Sequence, residues 1–262
     1  MSKKAELKVG ILQVDLLWED HQANRDQFEG LISKIAPKSD LIILPEMFTT
    51  GFSMEASRLF EAPDGPTTDW MRTTAAQYEV ALTGSIIIKD NEKFYNRLLF
   101  VYPDGRTETY DKRHCFTLAG EHEVFTAGTE RLQVELHGWQ ICPLICYDLR
   151  FPVWARNTSN YDLLLYVANW PKARIKAWDT LLQARAIENM SYCVGVNRIG
   201  TDGYGYEYVG HTAVYDELGN LISTSNYEAA IAEVVSLSAE QLDKTRDKLR
   251  FLNDRDSFNL EV

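Results

Sequence analysis

The chain is organised by short, wholly apolar segments that alternate with amphipathic stretches. Leu41-Ile42-Ile43-Leu44 and Leu163-Leu164-Leu165-Tyr166-Val167-Ala168 carry no polar alternation. Strands of that kind are buried on both faces of a sheet and need other layers to cover them. Upstream of the first, Phe28, Leu31, Ile32 and Ile35 recur at i, i+3, i+4 and i+7, the spacing of an amphipathic helix. Lys8–Val14 reads as a strand, Thr67–Tyr78 as a second helix and Val80–Ile88 as the strand after it. This succession points to the α/β class.

Two hairpins break the βα rhythm. Phe94–Tyr102 and Thr107–Tyr110 flank Pro103-Asp104-Gly105, a turn sequence with its own conformational logic. Leu132–Leu136 and Trp139–Ile145 flank His137-Gly138 in the same way. A short helix is expected over Phe151–Asn157, a longer one over Lys176–Asn189 and a strand over Tyr192–Arg198. Thr212–Tyr215 and Leu221–Ser223 read as a third hairpin around Glu217–Asn220. Ala229–Val235 is the last expected strand, and Ser238 the cap of a final helix. No linker, repeat or low-complexity stretch divides the 262 residues, so one domain over 1–262 is expected.

Net charge bounds the partners. The balance is -11, with acidic residues scattered along the chain, which argues against a nucleic-acid partner. No apolar run approaches the ~20 residues needed to span a bilayer. Glu6, Lys8 and Asp15 interrupt any signal-peptide core after Lys3 and Lys4, so no membrane association and a cytoplasmic location are expected.

Three segments place a reactive side chain just after an apolar or aromatic run. Cys146 follows Pro143-Leu144-Ile145 and precedes the expected short helix, which puts it at a strand-to-helix turn. A lone cysteine there is most often a small buried hydrophobe. Backbone N–H groups and a nearby helix N-terminus would instead stabilise a thiolate, and the Tyr147 N–H is placed to meet an oxyanion. Lys112 lies in Asp111-Lys112-Arg113-His114, which by itself reads as a solvated charged face. Glu46 ends the Leu41–Leu44 strand at Pro45 and, set against a thiol, has the chemistry to take its proton and later activate water.

The remaining cysteines, at 115, 142 and 193, read as reduced thiols. Cys142 and Cys146 have a loose zinc spacing, with His114, Cys115 or His122 nearby, but no second close ligand pair follows, which argues against a metal. Gly203-Tyr204-Gly205 lacks the third glycine of a nucleotide loop and reads as a flexible loop. Arg150 has two equal readings: a structural pair with Asp148, or a fork for a substrate carboxylate. Phe48, Phe116 and Asn169-Trp170-Pro171 are candidates for the wall of a small pocket, though aromatics so placed are more often core.

Taken in order and spacing, the segments around Glu46, Lys112 and Cys146 resemble the Glu-Lys-Cys amidohydrolases of the nitrilase superfamily, the carbon–nitrogen hydrolases. Glu46-Met47-Phe48-Thr49-Thr50-Gly51-Phe52-Ser53-Met54, Cys146–Pro152, Ala168–Pro171 and Ala184–Asn189 are most similar to its bacterial omega-amidase branch. The resemblance spans nearly the whole chain and implies a four-layer α-β-β-α sandwich. It implies Cys146 as nucleophile, Glu46 as base, Lys112 as the cation for the oxyanion, and Glu121, seven residues before Gly128, as a second positioning glutamate. Glu123 competes for that last role. It further implies hydrolysis of the side-chain amide of a small 2-oxo acid, such as 2-oxoglutaramate or 2-oxosuccinamate, with no metal or organic cofactor. Such a substrate needs a cation for its free carboxylate, and Arg150, Arg113 and Arg174 are the candidates. The rivals are another carbon–nitrogen hydrolase, acting on an N-carbamoyl compound, a nitrile or a deaminated glutathione, and a non-enzymatic interaction module. Relatives associate as dimers, which implies a homodimer here with the tail 251–262 reaching the partner. Cys115 departs from the usual aliphatic residue after the histidine, a change expected to reshape the pocket wall.

Overall fold

The computed structural model describes residues 3–224 and 227–261. Its strands are β1 (Glu6–Gln13), β2 (Leu41–Ile43), β3 (Ala81–Asp90), β4 (Lys93–Val101), β5 (Thr107–Asp111), β6 (Val134–Leu136), β7 (Trp139–Ile145), β8 (Leu163–Val167), β9 (Tyr192–Val196), β10 (Ile199–Thr201), β11 (Glu207–Val209), β12 (Ala213–Tyr215) and β13 (Ile231–Ser238). The α-helices are α1 (His21–Ile35), α2 (Ala56–Leu59), α3 (Pro66–Tyr78), α4 (Glu121–Val124), α5 (Pro152–Ala155), α6 (Ile175–Asn189) and α7 (Ala239–Leu249).

The strands form a six-stranded sheet, ordered β13-β1-β2-β3-β4-β5, and a five-stranded sheet, ordered β12-β9-β8-β7-β6, with β10 and β11 as a separate ribbon. β1, β2 and β3 run parallel, as do β7, β8 and β9. Period-2 alternation sorts the first sheet's side chains. Leu7, Val9, Ile11, Leu41, Ile43, Leu98 and Phe100 face inward, into one cluster with the second sheet. Leu12, Ile42, Leu44, Leu82, Leu99 and Val101 face outward, against Phe28 and Ile32 of α1 and Met71 and Ala75 of α3. β1 meets β9 and β4 meets β7 across the inner core, while α6 covers β9 and β12. The result is the α-β-β-α sandwich, in which β8 is buried along its whole length because α6 and the first sheet cover its two faces.

Most expected elements are present within a residue or two at each end. Ser238 caps α7, accepting a hydrogen bond from the Gln241 N–H. Three expectations change. The stretch after Cys146 is a five-residue 3-10 turn, Cys146–Arg150, and the helix that follows covers only Pro152–Ala155. The third hairpin narrows to a single bridge between Tyr215 and Leu221, flanked by hydrogen bonds from the Asp216 N–H to the Asn220 carbonyl and from the Ile222 N–H to the Val214 carbonyl, and Asp216 takes the Leu218 and Asn220 N–H groups within its turn. Gly203-Tyr204-Gly205 is the turn of the β10–β11 ribbon, whose three-residue strands were too short to show alternation.

The second sheet meets α6 at Gly195. A Cβ there would lie 2.4 Å from Leu182 Cδ1 and 2.6 Å from Trp178 Cζ2. α6 also carries the buried Arg185, which donates to the Leu149 carbonyl at 2.6 Å and so braces the turn after Cys146. Gly195→Ala should therefore cost about 1–3 kcal/mol of stability, as overpacking in a filled core does, measured by urea unfolding. A neutral result would mean that α6 sits less firmly on β9 than these distances require.

Candidate active site

Ligand clefts of parallel sheets form beyond the carboxyl ends of the strands. Here those ends converge: Glu46 follows β2, Lys112 follows β5, Cys146 follows β7 and Asn169 follows β8. Glu46 is held at both carboxyl oxygens and at its backbone carbonyl. Its Oε1 accepts from Lys112 Nζ and from Asn96 Nδ2, each at 2.8 Å. Its Oε2 accepts from the Asn169 N–H at 2.8 Å, and its carbonyl accepts from Asn169 Nδ2 at 2.6 Å. Two hydrogen bonds to Ser85 of β3, from the Met47 and Phe48 N–H groups, fix the turn that carries it.

Lys112 is buried, with its ammonium between two carboxylates. Besides Glu46, it donates to Glu121 Oε1 at 3.0 Å and Oε2 at 2.9 Å. Glu121 begins α4, is wholly buried, and also accepts from the Phe116 N–H and from Asn96 Nδ2 at 3.2 Å. Glu123, its competitor, is exposed. Burial disfavours the charged lysine, yet Glu121 and Glu46 outweigh it and hold the ammonium well above its usual pKa. Burial pushes the Glu121 carboxyl up, Lys112 opposes this and Glu46 adds to it.

Cys146 sits at the tip of the β7 strand with φ +44°, in the left-handed region. A non-glycine residue there stores on the order of 1–3 kcal/mol of strain and marks a position that the surroundings over-determine. Burial raises the thiol well above its usual pKa, the neighbouring Glu46 carboxylate raises it further, and Lys112 pulls the other way. The resting sulfur is thus a neutral thiol. Sγ lies 4.0 Å from the Asn169 carbonyl. Cys142, four residues earlier, lies in the inner core, its thiol pushed up to about 12 by burial.

A cavity of about 390 Å³ opens over Cys146 and Lys112. Phe116, Tyr147, Arg150, Asn169, Trp170 and Arg174 line it, together with Phe52, Met54 and the ribbon residues Asp202, Tyr204, Tyr206 and Tyr208. The Arg150 guanidinium lies 5.0 Å from the centre of the Trp170 ring, and that of Arg174 4.9 Å from the Phe116 ring. Among the described residues neither has a carboxylate partner.

Several expectations are corrected here. Phe48 is core, packed edge-on against Phe28 at 5.5 Å on the outer face of the first sheet; the residue that reaches the cavity from its segment is Phe52. Arg113 turns away, donating to the Gly128 carbonyl and lying over Trp154. Asp148 does not pair with Arg150; it takes the Ile145 and His114 N–H groups and the Tyr110 hydroxyl. Cys115 packs beside Met47 and Phe125, outside the cavity wall. Asn96, which touches both glutamates, had no signal in sequence beyond being a polar residue at a buried strand position. The ribbon tyrosines were hidden in a segment that reads as loop.

The carbon-nitrogen hydrolase family model matches residues 8–246. The chain belongs to that family. It is 45% identical to the omega-amidase YafV of Yersinia enterocolitica over 254 residues, covering 97% of this chain and 98% of that one. It is 30% identical to the 2-oxoglutaramate amidase of Bacillus subtilis, over 94% of this chain and 96% of that one. Among solved structures, XC1258 from Xanthomonas campestris, a CN-hydrolase superfamily protein with an arsenic adduct in its active site, superposes with a TM-score of 0.92. Its identity is 44%, over 98% of this chain and 100% of that one. The amidase of Nesterenkonia, at 20% identity and a TM-score of 0.79, shares the fold.

Two outcomes test the arrangement. Glu46→Gln removes both the charge that raises the thiol and the acceptor for its proton; if the carboxylate acts as a base, iodoacetamide alkylation of Cys146 at neutral pH should slow by at least about tenfold, whereas an unchanged or faster rate would overturn the base. Lys112→Met leaves two buried carboxylates facing each other and should cost about 3–5 kcal/mol near neutral pH. The Glu121 carboxyl, which burial and Glu46 already raise against the pull of Lys112, then stands further above its unfolded value, so the deficit should shrink as pH falls and a proton neutralises it. A deficit that grows on acidification would contradict the charge assignment.

Proposed function

We propose that this protein is an omega-amidase that hydrolyses the terminal amide of small 2-oxo acid monoamides, with 2-oxoglutaramate and 2-oxosuccinamate as substrates. The observation that carries the reading is the buried glutamate–lysine–cysteine constellation in a cavity that also holds two uncommitted guanidiniums, in a chain of omega-amidase likeness along nearly its full length. The chain is an amidohydrolase. A substrate with a carboxylate at one end and an amide at the other matches cations on the wall and a nucleophile on the floor. N-carbamoyl, nitrile and deaminated-glutathione substrates would use the same triad, but the relatives lend them no comparable support.

The chemistry runs in two halves. Glu46 takes the Cys146 proton as Sγ attacks the amide carbon, and Lys112 with the Tyr147 N–H receives the oxyanion. The protonated glutamate returns its proton to the departing nitrogen, ammonia leaves and a thioester remains. Water enters, loses a proton to Glu46 and attacks the thioester; collapse releases the carboxylate, and the cysteine sulfur regains the proton. Glu121 keeps the lysine in place. Phe116, Asn169 and Trp170 shape the cavity, and Arg150 and Arg174 compete for the substrate carboxylate.

The same reading makes residues 1–262 one hydrolase domain acting in the cytoplasm as a homodimer, with the tail at 251–261 near the partner; Val262 lies outside the described residues. Among the described residues no helix is long and apolar enough to cross a membrane.

Ammonia release from 2-oxoglutaramate, with N-carbamoyl-β-alanine as control, tests the substrate. Cys146→Ala should abolish release; activity only on the control would keep the triad and discard the substrate. Arg150→Lys or Arg174→Lys should raise KM about tenfold or more in whichever variant lost the bidentate fork, whereas Arg113→Lys should not. If neither cavity variant shifts KM, the carboxylate site lies elsewhere.

A further inference from the structure

Asp148 makes four hydrogen bonds beside the site, and the reaction scheme gives it no part. It is wholly buried, two residues after the nucleophile. Oδ2 accepts from the Ile145 N–H at 3.0 Å and from the Tyr110 hydroxyl at 2.7 Å. Oδ1 accepts from the His114 N–H at 3.0 Å and lies 2.7 Å from His114 Nδ1. The Tyr110 oxygen already accepts from the Arg113 N–H at 3.2 Å and the Trp154 indole at 3.0 Å, so its own proton points to Asp148. That hydroxyl and two backbone N–H groups donate to the carboxyl group, and the fourth hydrogen bond joins Oδ1 to His114 Nδ1. The imidazole is clamped from its face as well, stacked on Phe151 at 3.6 Å and 3°.

The partners define what this carboxylate does. Ile145 immediately precedes Cys146, and Tyr110 and His114 lie two residues on either side of Lys112. One buried group therefore ties the turn carrying the nucleophile to the turn carrying the cation. Those turns leave different sheets, β7 and β5, and nothing in either sheet's ladder fixes their separation. Cys146 holds a left-handed φ of +44°, a conformation that relaxes unless its neighbours are pinned.

We propose that Asp148, acting through His114 and Tyr110, is a positioning residue that sets Cys146 against Lys112 and Glu46. The proposal refines the amidase reading given above, but its main readout needs no substrate. The test is the rate of iodoacetamide alkylation of Cys146 in the full-length protein, followed by peptide mapping, with ammonia release per titratable thiol alongside it. Asp148→Asn replaces one acceptor oxygen by a donor and should slow alkylation at least about tenfold, because reactivity falls steeply when reacting groups are misplaced. kcat should fall with it while KM for 2-oxoglutaramate stays within about threefold. His114→Ala should behave in the same direction. His114→Asn, which retains an N–H donor near the Nδ1 position, should recover alkylation to within about threefold of wild type.

Wild-type alkylation in folded Asp148→Asn or His114→Ala protein would overturn the proposal and leave Asp148 a structural group. Should Asp148→Asn not fold, the His114→Ala and His114→Asn pair decides: equal rates in the two would equally overturn it. If wild-type protein releases no ammonia from 2-oxoglutaramate, the substrate assignment fails, while the alkylation series still decides whether Asp148 positions the thiol.

Discussion

The site depends on one buried ammonium. Lys112 is the only cation bonded to Glu46 and Glu121 among the described residues, and each carboxylate is removed from water. Two buried carboxylates held together by Asn96 Nδ2 would repel each other strongly, and one would protonate. The lysine between them supplies the opposite charge that both carboxyl groups share. The lysine thus acts on the nucleophile indirectly. Its attraction for a thiolate is outweighed by burial and by Glu46, which raise the thiol. A neutral thiol also resists oxidation, because the thiolate is the species that oxidises.

That charge arrangement is possible only because two sheets end at the same place. Glu46 and Lys112 come from the first sheet, Cys146 and Asn169 from the second. Asn169 closes the circuit, holding both the carboxylate and the backbone carbonyl of Glu46 across the sandwich. The inner core of Val9, Ile11, Leu41, Leu144 and Leu165 therefore has a catalytic consequence. Sliding one sheet on the other by a fraction of a residue would break bonds of 2.6–2.8 Å at Glu46. Close packing resists that motion, since a filled core deforms little.

The layers were largely legible in sequence because their periodicities are strong. Leu41–Leu44 and Leu163–Ala168 are pure apolar runs, and α1 shows its stripe at Phe28, Ile32 and Ile35. Pairing two such sheets face to face was not readable from periodicity; it came from the resemblance. Within the site, Glu46, Lys112, Cys146 and Glu121 stood at positions a motif can mark. Asn96 and Asp148 did not, because their roles lie in bonds to partners 25 to 50 residues away. Phe48 was misplaced for a related reason. Met47 takes φ +41°, a local twist that turns the following side chain to the outer face of the sheet, and no residue pattern announces it.

The same electrostatics shape the end of the proposed reaction. The substrate brings a neutral amide to the floor of the cavity, beside Glu46, and the product leaves a carboxylate there. The amide is compatible with a neighbouring negative charge, whereas the new carboxylate is not. In the proposed reaction Arg150 and Arg174, which have no carboxylate partners among the described residues, would favour the anionic end common to substrate and product. Binding through the shared end and repulsion at the reacted end together discriminate product from substrate at the one position that has changed. A cation beside the thiol with no glutamates around it would stabilise the thiolate and the oxyanion too, but it would retain the dicarboxylate. Pairing Lys112 with two glutamates keeps the oxyanion donor while denying the product a net positive floor to bind.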